Sequence, residues 1–495
     1  MLLPLMNTFE NPDQKPKSTQ THDTQAPPNL LAFMLKSWKP ASGKLPKPLK
    51  HSKNFELRRQ RLGERFPGEL LIVPTGHLKV RANDTHFRFR PSTDFFYLTG
   101  GHEPDCVLVL VPEGKRHRHI LFVEPNPGKT DATFFTDRIK GELWEGPRLG
   151  VPETQSLLGI EECRSLPELD AFLKAEITRV KGKIRCLRGH SESLESSIGT
   201  LSTEQTVKDK EFATFLSEMR LIKDSQEVKE IASAVDSTKR GFEDVIQRLR
   251  SAKNERELEG VFYTRARTEG NDVGYYSIVA SGAHACVLHW KHNDGELKKK
   301  DLLLLDAGIE GNSLYTADVT RTLPISGKFT KEQKEIYDLV WRSQAAAFKE
   351  VKPGNDFMAP NRAAMEVLAY GLEELGILPM TAEEALKEEN QFYKRYSLHN
   401  VSHMLGLDVH DCAQARAENY KYGELKEGMV LTVEPGLYFQ VDDLTVPARY
   451  RGIGVRIEDD VVVTAKGYRN LSRKIPSQSN EVESWMKGLW KKTGK

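Results

Sequence analysis

The stretch His399-Asn400-Val401-Ser402-His403-Met404-Leu405-Gly406-Leu407-Asp408-Val409-His410-Asp411 gathers three histidines and two aspartates within thirteen residues. Such a set can ligate a metal or move a proton. In a helix, His399 and His403 share a face, because i and i+4 are neighbours. In a strand they again share a face, four positions apart. Val401, Leu405, Leu407 and Val409 alternate with small or polar residues, which suits a strand or an extended loop. Either backbone aims two imidazoles at one place. A polar surface loop with scattered histidines has the same composition, so the surrounding chain decides.

Four carboxylates lie in or at the ends of apolar runs. Leu302-Leu303-Leu304-Leu305 reads as a buried strand and runs straight into Asp306. Burying that acid is costly unless it is paired or bound to a cation. In Leu314-Tyr315-Thr316-Ala317-Asp318-Val319-Thr320-Arg321-Thr322, a period of two puts Asp318 on the face of Thr316 and Thr320. Gly308, Gly311 and Asn312 supply a turn, so the two strands are predicted to pair as a hairpin that brings Asp306 near Asp318. Met429-Val430-Leu431-Thr432-Val433 leads into Glu434-Pro435-Gly436. In Gly454-Val455-Arg456-Ile457-Glu458, Arg456 and Glu458 share one face and Val455 and Ile457 the other. Taken singly, an ordinary ion pair explains each acid. Taken together, Asp306, Asp318, Glu434 and Glu458 with His403 need a strong positive charge among them. Oxygen-rich sites with one nitrogen suit two hard or borderline divalent ions. Two such ions roughly 3.5–4 Å apart, bridged by carboxylates, make a hydrolytic centre.

The elements around these residues are those of an α/β (α+β) chain of 495 residues, long enough for two or more domains. Lysine plus arginine number 72 and aspartate plus glutamate 70, a balance that argues against a dedicated nucleic-acid or membrane-surface binder. No apolar run approaches a membrane span. Met1-Leu2-Leu3-Pro4-Leu5-Met6 is too short for a signal h-region and has no basic segment before it. Five scattered cysteines (Cys106, Cys163, Cys186, Cys286 and Cys412) fit reduced thiols in a cytoplasmic protein.

Residues 1–53 carry eight lysines against three acids and read as a largely disordered or extended tail, with Leu30–Leu35 a possible short helix. Residues 54–200 read as an α/β domain with a mixed sheet. It comprises a helix over 55–66 and strands at 69–74, 95–100, 106–111 and 119–123, closed by a linker near 190–208. Residues 209–480 form the second domain. Its helices cover 209–270, with Asn254 and Glu257 as a cap. A further helix follows the Thr330/Gln333 cap, and another spans about 356–375 up to Gly376. Residues 481–495 read as a C-terminal tail.

The order Asp306…Asp318…His403…Glu434…Glu458 resembles the M24 metallopeptidases of the pita-bread fold, in their proline-specific branch of Xaa-Pro aminopeptidases (aminopeptidase P) and prolidases. Val287-Leu288-His289-Trp290, Asp306-Ala307-Gly308, Thr316 to Thr322, Ser402-His403 to His410-Asp411, Glu434-Pro435-Gly436-Leu437-Tyr438 and Gly452 to Asp459 carry the resemblance. Asn83-Asp84-Thr85, Tyr97-Leu98-Thr99-Gly100 and Leu143-Trp144 resemble that branch's N-terminal domain. Two departures stand out. One more residue than usual separates Asp306 from Asp318. Asn400 stands where Gly is common, and Asn tolerates left-handed backbone.

The resemblance implies a dinuclear aminopeptidase that releases the residue before a proline in second position by attack of metal-bound hydroxide. Asp306, Asp318, His403, Glu434 and Glu458 would hold two divalent ions, manganese first, with zinc or cobalt as alternatives. Asp318 and Glu458 would bridge the ions, and Glu434 would accept the proton. His289, His399 and His410 would hold substrate and stabilise the oxyanion, and Arg456 would orient carboxylates. Tyr438 and Trp144 are candidate apolar walls for the proline ring, with Trp144 reaching across from the N-terminal domain, of the same or a neighbouring subunit. Arg416, Arg449 and Arg451 could capture a carboxylate past it. A dipeptide-only prolidase and a non-catalytic pita-bread binding module are the alternatives. A homo-oligomer, dimer or tetramer, is expected, with no nucleic-acid or membrane partner.

Overall fold

The apolar runs in the first half pair into one mixed five-stranded sheet. Leu70–Pro74 lies at its heart, antiparallel to Val107–Glu113 and parallel to Ile184–Cys186. Arg116–Val123 and then Glu162–Ser165 extend the other edge. Side chains alternate between faces. Leu70, Ile72, Val109 and Phe122 therefore meet Leu169 and Leu173 of helix Leu169–Arg179. Leu71, Val73, Leu108 and Leu121 turn into the main core beside Leu62 and Phe95. Both faces are covered, which explains the unbroken apolar runs. In this computed structural model, residues 26–40, 43–83, 85–199 and 202–492 are described.

Four expectations change. Residues 95–100 form no strand; they lie in helix Thr93–Thr99, which ends at Gly100 in left-handed conformation (φ 71°). Its residues Phe95 to Thr99 are all buried, and a short buried run has no periodicity to separate helix from strand. The linker near 190–208 contains helix Glu192–Ile198 and the start of Thr203–Met219. Ser191 and Ser202 cap them by accepting from the amides of Leu194 and Gln205. The Ser and Glu that read as linker are helix starts.

In the N-terminal tail, residues 1–25 and 41–42 lie outside the described residues. Pro28–Met34 is a helix, the Trp38 ring sits 5.8 Å from that of Phe134, and the Leu49 amide donates to Leu157. The last segment is helix Ser479–Lys492, with Val482, Met486 and Leu489 buried on one face; residues 493–495 lie outside the described set.

In the second half the helices stand as expected. Asn254 accepts from the amide of Glu257, Thr330 and Gln333 form a capping box, and helix Ala359–Glu374 stops just before Gly376 at φ 68°. Helices Ser225–Leu249 and Glu255–Glu269 pack together, as do Lys331–Glu350 and Ala359–Glu374. Bent antiparallel strands lie under them. Leu302–Ala307 sits between Ile278–Ser281 and Val319–Pro324. Val430–Val433 pairs with Asp459–Thr464, and Gly436–Tyr438 with Gly454–Arg456. Bridges Thr320–Glu458 and Met404–Leu431 join these groups. No helix among the described residues is long and apolar enough to cross a membrane.

Arg321 locks the junction. It is fully buried and donates to the carbonyls of Thr320, Glu458, Ile475 and Pro476 and to Asp459 Oδ1, at 2.6–2.8 Å. Arg321→Met would leave Asp459 short of its cation and four carbonyls without this donor. Breaking a buried pair from one side costs about 3–5 kcal/mol, so the unfolding midpoint in urea should fall clearly. A variant with the wild-type midpoint would deny Arg321 this role.

Candidate active site

The hairpin predicted for the first two acids is present. Asp306 faces Thr320 in the register, and Asp318 lies just before strand Val319–Pro324. Within the turn, Leu314 is buried in left-handed backbone (φ 60°). Gly308 is required by space: a Cβ there would stand 1.7 Å from the Ala317 carbonyl oxygen. The Tyr275 hydroxyl bonds both carboxylates, at 2.6 Å from Asp306 Oδ1 and also against Asp318 Oδ1. The Asp318 amide donates to Asp460 Oδ2 at 3.0 Å.

The stretch from His399 to Asp411 is an irregular, bent loop with one bridge residue, Met404, and it contains neither helix nor strand. It runs beside Val430–Val433. Leu405 and Glu434 donate backbone amides to Val430 and Val401, and Thr432 donates to His403. That register sets His403 Nε2 3.3 Å from Asp318 Oδ2 and 3.5 Å from Glu434 Oε1. His399 Nδ1 lies 3.6 Å from Glu434 Oε2. Asn400 is not among the residues with positive φ, so the tolerance expected of it is not used.

Arg456 reaches Asp306 Oδ2, the Tyr438 hydroxyl at 2.9 Å and Thr320 Oγ1 at 3.2 Å. Thr320 Oγ1 in turn donates to Glu458 Oε2 at 2.6 Å. The expected shared face of Arg456 and Glu458 is thus realised through Thr320.

The electrostatics show what this cluster lacks. Burial pushes Glu434 up to about 7, and burial with the neighbouring acids holds Glu458 well above the usual carboxylate range. Burial also raises Asp306, against the pull of Arg456. Burial alone would lower His403, but Asp318 and Glu434 carry it up to about 9. Burial, with Arg456 nearby, drops His399 to about 4. Four acids held this close cannot all ionise opposite one guanidinium and one imidazole. One ligand atom from each of Asp318, His403 and Glu458 falls within a 4.8 Å span. This donor set fits a divalent cation.

All nine residues singled out from the sequence, namely Asp306, Asp318, His403, Glu434, Glu458, His289, His399, His410 and Arg456, line one cleft of about 480 Å³. The His410 ring stands 4.4 Å from that of His403. Other expected contributors are elsewhere. Tyr438 is buried behind the cleft, bonded to His399 Nε2 at 2.8 Å, and is not a wall. Trp144 donates to Phe135 under the Arg138 guanidinium and does not line the cleft of its own chain. Arg416 pairs with Glu218, Arg449 lies over Tyr450, and Arg451 donates to Val446. Five contributors were not anticipated: Tyr275, Tyr276, Ile278 and Lys291 in the lining, and Asp460 behind it. Gly274-Tyr275-Tyr276 just ahead of a buried strand is a weak signal for Tyr275, and Asp460 and Lys291 have no local one.

Residues 229–465 match the profile of metallopeptidase family M24, and residues 55–184 that of the aminopeptidase P N-terminal domain. The chain is 49% identical over 444 residues to Xaa-Pro aminopeptidase 1 of Streptomyces coelicolor, covering 89% of this chain and 88% of the relative. It is 32% identical over 446 residues to the Xaa-Pro aminopeptidase of Escherichia coli, covering 87% of this chain and 97% of that one. The structure resembles E. coli aminopeptidase P solved with the inhibitor Pro-Leu, with TM-score 0.78, 31% identity, and 90% and 100% of the two chains covered.

Proposed function

Because the chain belongs to metallopeptidase family M24 and carries the aminopeptidase P N-terminal domain, we propose that it is a metallo-aminopeptidase that hydrolyses the bond between an N-terminal residue and a following proline. The observation that carries this reading is the cleft itself, where Asp306, Asp318, His403, Glu434 and Glu458 converge from distant segments, short of positive charge. We assign these five to two divalent ions, manganese first and zinc or cobalt as alternatives. Bound there, such ions supply the concentrated positive charge that polarises the scissile carbonyl and acidifies water.

The chain's own groups do the rest. Glu434 is the proton acceptor, since its two carboxylate oxygens lie in the cleft facing His403 and His399. His289 and His410 offer ring N–H groups to the carbonyl oxygen as its charge develops. His399 has both nitrogens engaged, Nδ1 with the Asn400 carbonyl and Nε2 with the Tyr438 hydroxyl. It therefore lines the cleft with neither ring nitrogen left for substrate. Arg456 holds Asp306 in place. A tertiary Xaa-Pro amide has no N–H to offer, so selection rests on the amino terminus and on shape. Ile278, Leu288, Tyr276 and Val409 give the ring its wall, in place of Tyr438. The arginines weighed for carboxylate capture are engaged elsewhere, which favours peptides of three or more residues over dipeptides alone. All five cysteines are free, in keeping with a reducing, cytoplasmic setting. A dimer or tetramer remains the expected assembly, which light scattering on the purified chain checks.

The test is hydrolysis of matched Ala-Pro, Ala-Pro-Ala and Ala-Ala-Ala peptides before and after chelation. Chelation should abolish activity, and added Mn²⁺ should restore it. The tripeptide should be cut at least as well as the dipeptide, and the proline-free peptide far more slowly. Full activity in a preparation shown metal-free by elemental analysis would sink the metal reading. A kcat/KM far higher for the dipeptide would favour a prolidase.

A further inference from the structure

Lys291 lines the catalytic cleft, is exposed, and has no hydrogen-bond or ion-pair partner among the described residues. Arg456, the other lysine or arginine in the lining, is consumed by Asp306, Tyr438 and Thr320. Lys291 is also presented from a fixed backbone. The fully buried Glu255 accepts hydrogen bonds from the Ser281 amide and hydroxyl, His284 Nδ1, Trp290 Nε1 and the Gly295 amide, at 2.7–2.9 Å. Trp290 stacks on His284 with centroids 3.8 Å apart. Arg256 donates to the His292 carbonyl at 2.9 Å, and Asn293 is clamped between Val279 and Ser277. The residues on both sides of Lys291 are therefore tied down while its ammonium is left to solvent.

Charge fixes which end of a peptide this ammonium can serve. An aminopeptidase substrate brings a positive amino terminus to the end of the cleft where the bond is cut. A second ammonium at that end would repel it. Lys291 is compatible with the substrate only on the other side, past the proline. A second groove of about 920 Å³, which Lys291 does not line, shares Tyr275 and Tyr276 with the cleft. Arg81, Arg88 and Arg256 line it against Glu259 and Asp272, with Arg88 paired to Asp272 at 2.8 Å.

Building on the aminopeptidase reading, we propose that Lys291 is a specificity-determining residue that recognises a carboxylate carried by the peptide beyond the proline. The carboxylate is either the chain terminus of a short peptide or an acidic side chain of a longer one. Both present the same anion to the ammonium through a charge-assisted hydrogen bond.

The experiment compares Ala-Pro-Ala with its C-terminal amide, and Ala-Pro-Asp-amide with Ala-Pro-Asn-amide, on wild type, K291M and K291R loaded with Mn²⁺. Equilibrium binding of Pro-Leu and Pro-Leu-amide is measured in parallel. In wild type the acid of at least one pair should have a KM or Kd lower by roughly fivefold, the scale of one partly exposed charge pair. K291M should bring that ratio to about one, and K291R should keep it. The first pair tests the terminal carboxylate and the second the side chain. Equal KM values for acid and amide in wild type, or an acid preference that survives in K291M, overturns the proposal. Hydrolysis without acid preference leaves the aminopeptidase reading standing and removes Lys291 from it. Acid-selective, Lys291-dependent binding without hydrolysis of any peptide supports Lys291 and removes the aminopeptidase reading.

Discussion

Asp318→Asn is expected to lower kcat by about 10²-fold or more at saturating metal while leaving the chain folded. Asp318 is the most shared acid of the cleft: it meets the Tyr275 hydroxyl and His403 Nε2, and it is one of the three groups whose ligand atoms fall together. Asparagine keeps the shape but removes the charge and turns one acceptor into a donor. The backbone need not move, because the Asp318 amide stays bonded to Asp460 and the neighbouring register is unchanged. Stability gives a second, independent sign. Asp318 adds to the repulsion that raises Asp306, Glu434 and Glu458. Because Asp318 also supports the charge on His403, the two effects oppose in the metal-free protein, and the sign to read is the rise in Tm on adding Mn²⁺, which should shrink. His403→Ala should lose activity on the same scale, since it removes the one imidazole of the ligand set. Near wild-type kcat in either variant would withdraw the assignment of that residue. A metal-induced Tm rise as large as that of wild type would withdraw the ligand role even if activity fell.

The acids were legible because each sits in or ends an apolar run, where a carboxylate is conspicuous. Asp306 after four leucines and Glu434 after Val430–Val433 are examples. Pairing followed from the period of two and from the turn at Gly308 to Asn312. The alternation of apolar residues from His399 to Asp411 misled: the segment bends repeatedly and Met404 to Leu407 are buried in succession. What the sequence hides is contact made at long range. Tyr275 meets Asp306 across 31 positions, and Asp460 meets the Asp318 amide across 142. No local pattern announces either.

Two misreadings have local causes. Phe95 to Thr99 are buried all round, which erases the difference between a strand and a helix. The last segment carries Lys487, Lys491 and Lys492, which look like a solvated end. They occupy the outer face of a helix whose inner face, Val482, Met486 and Leu489, follows helical spacing and is buried. Tyr438 was a different kind of error. Its residue type suited a wall for proline, but its hydroxyl is needed between Arg456 and His399, so the ring is used up as a spacer.

Glu434→Gln separates proton transfer from metal binding. Strand Val430–Val433 delivers Glu434, and its amide bond to Val401 fixes the backbone, so a substitution at the tip leaves the chain's path alone. Its two oxygens face different histidines, Oε1 at 3.5 Å from His403 and Oε2 at 3.6 Å from His399. Glutamine fills the same volume and keeps one oxygen able to serve as a ligand, but it cannot take up a proton at any working pH. General-base catalysis contributes typically about 10²–10⁴-fold, so kcat should fall by that order. A group that acts on a proton in flight is felt in the transition state and hardly at all in the bound substrate, so KM should change much less. Elemental analysis of the same preparation decides between the two roles. Metal content near that of wild type with a collapsed kcat assigns Glu434 to the proton. Metal lost in step with activity assigns it to ligation alone, and a preserved kcat with only a raised KM removes the base from Glu434 and leaves it a binding group.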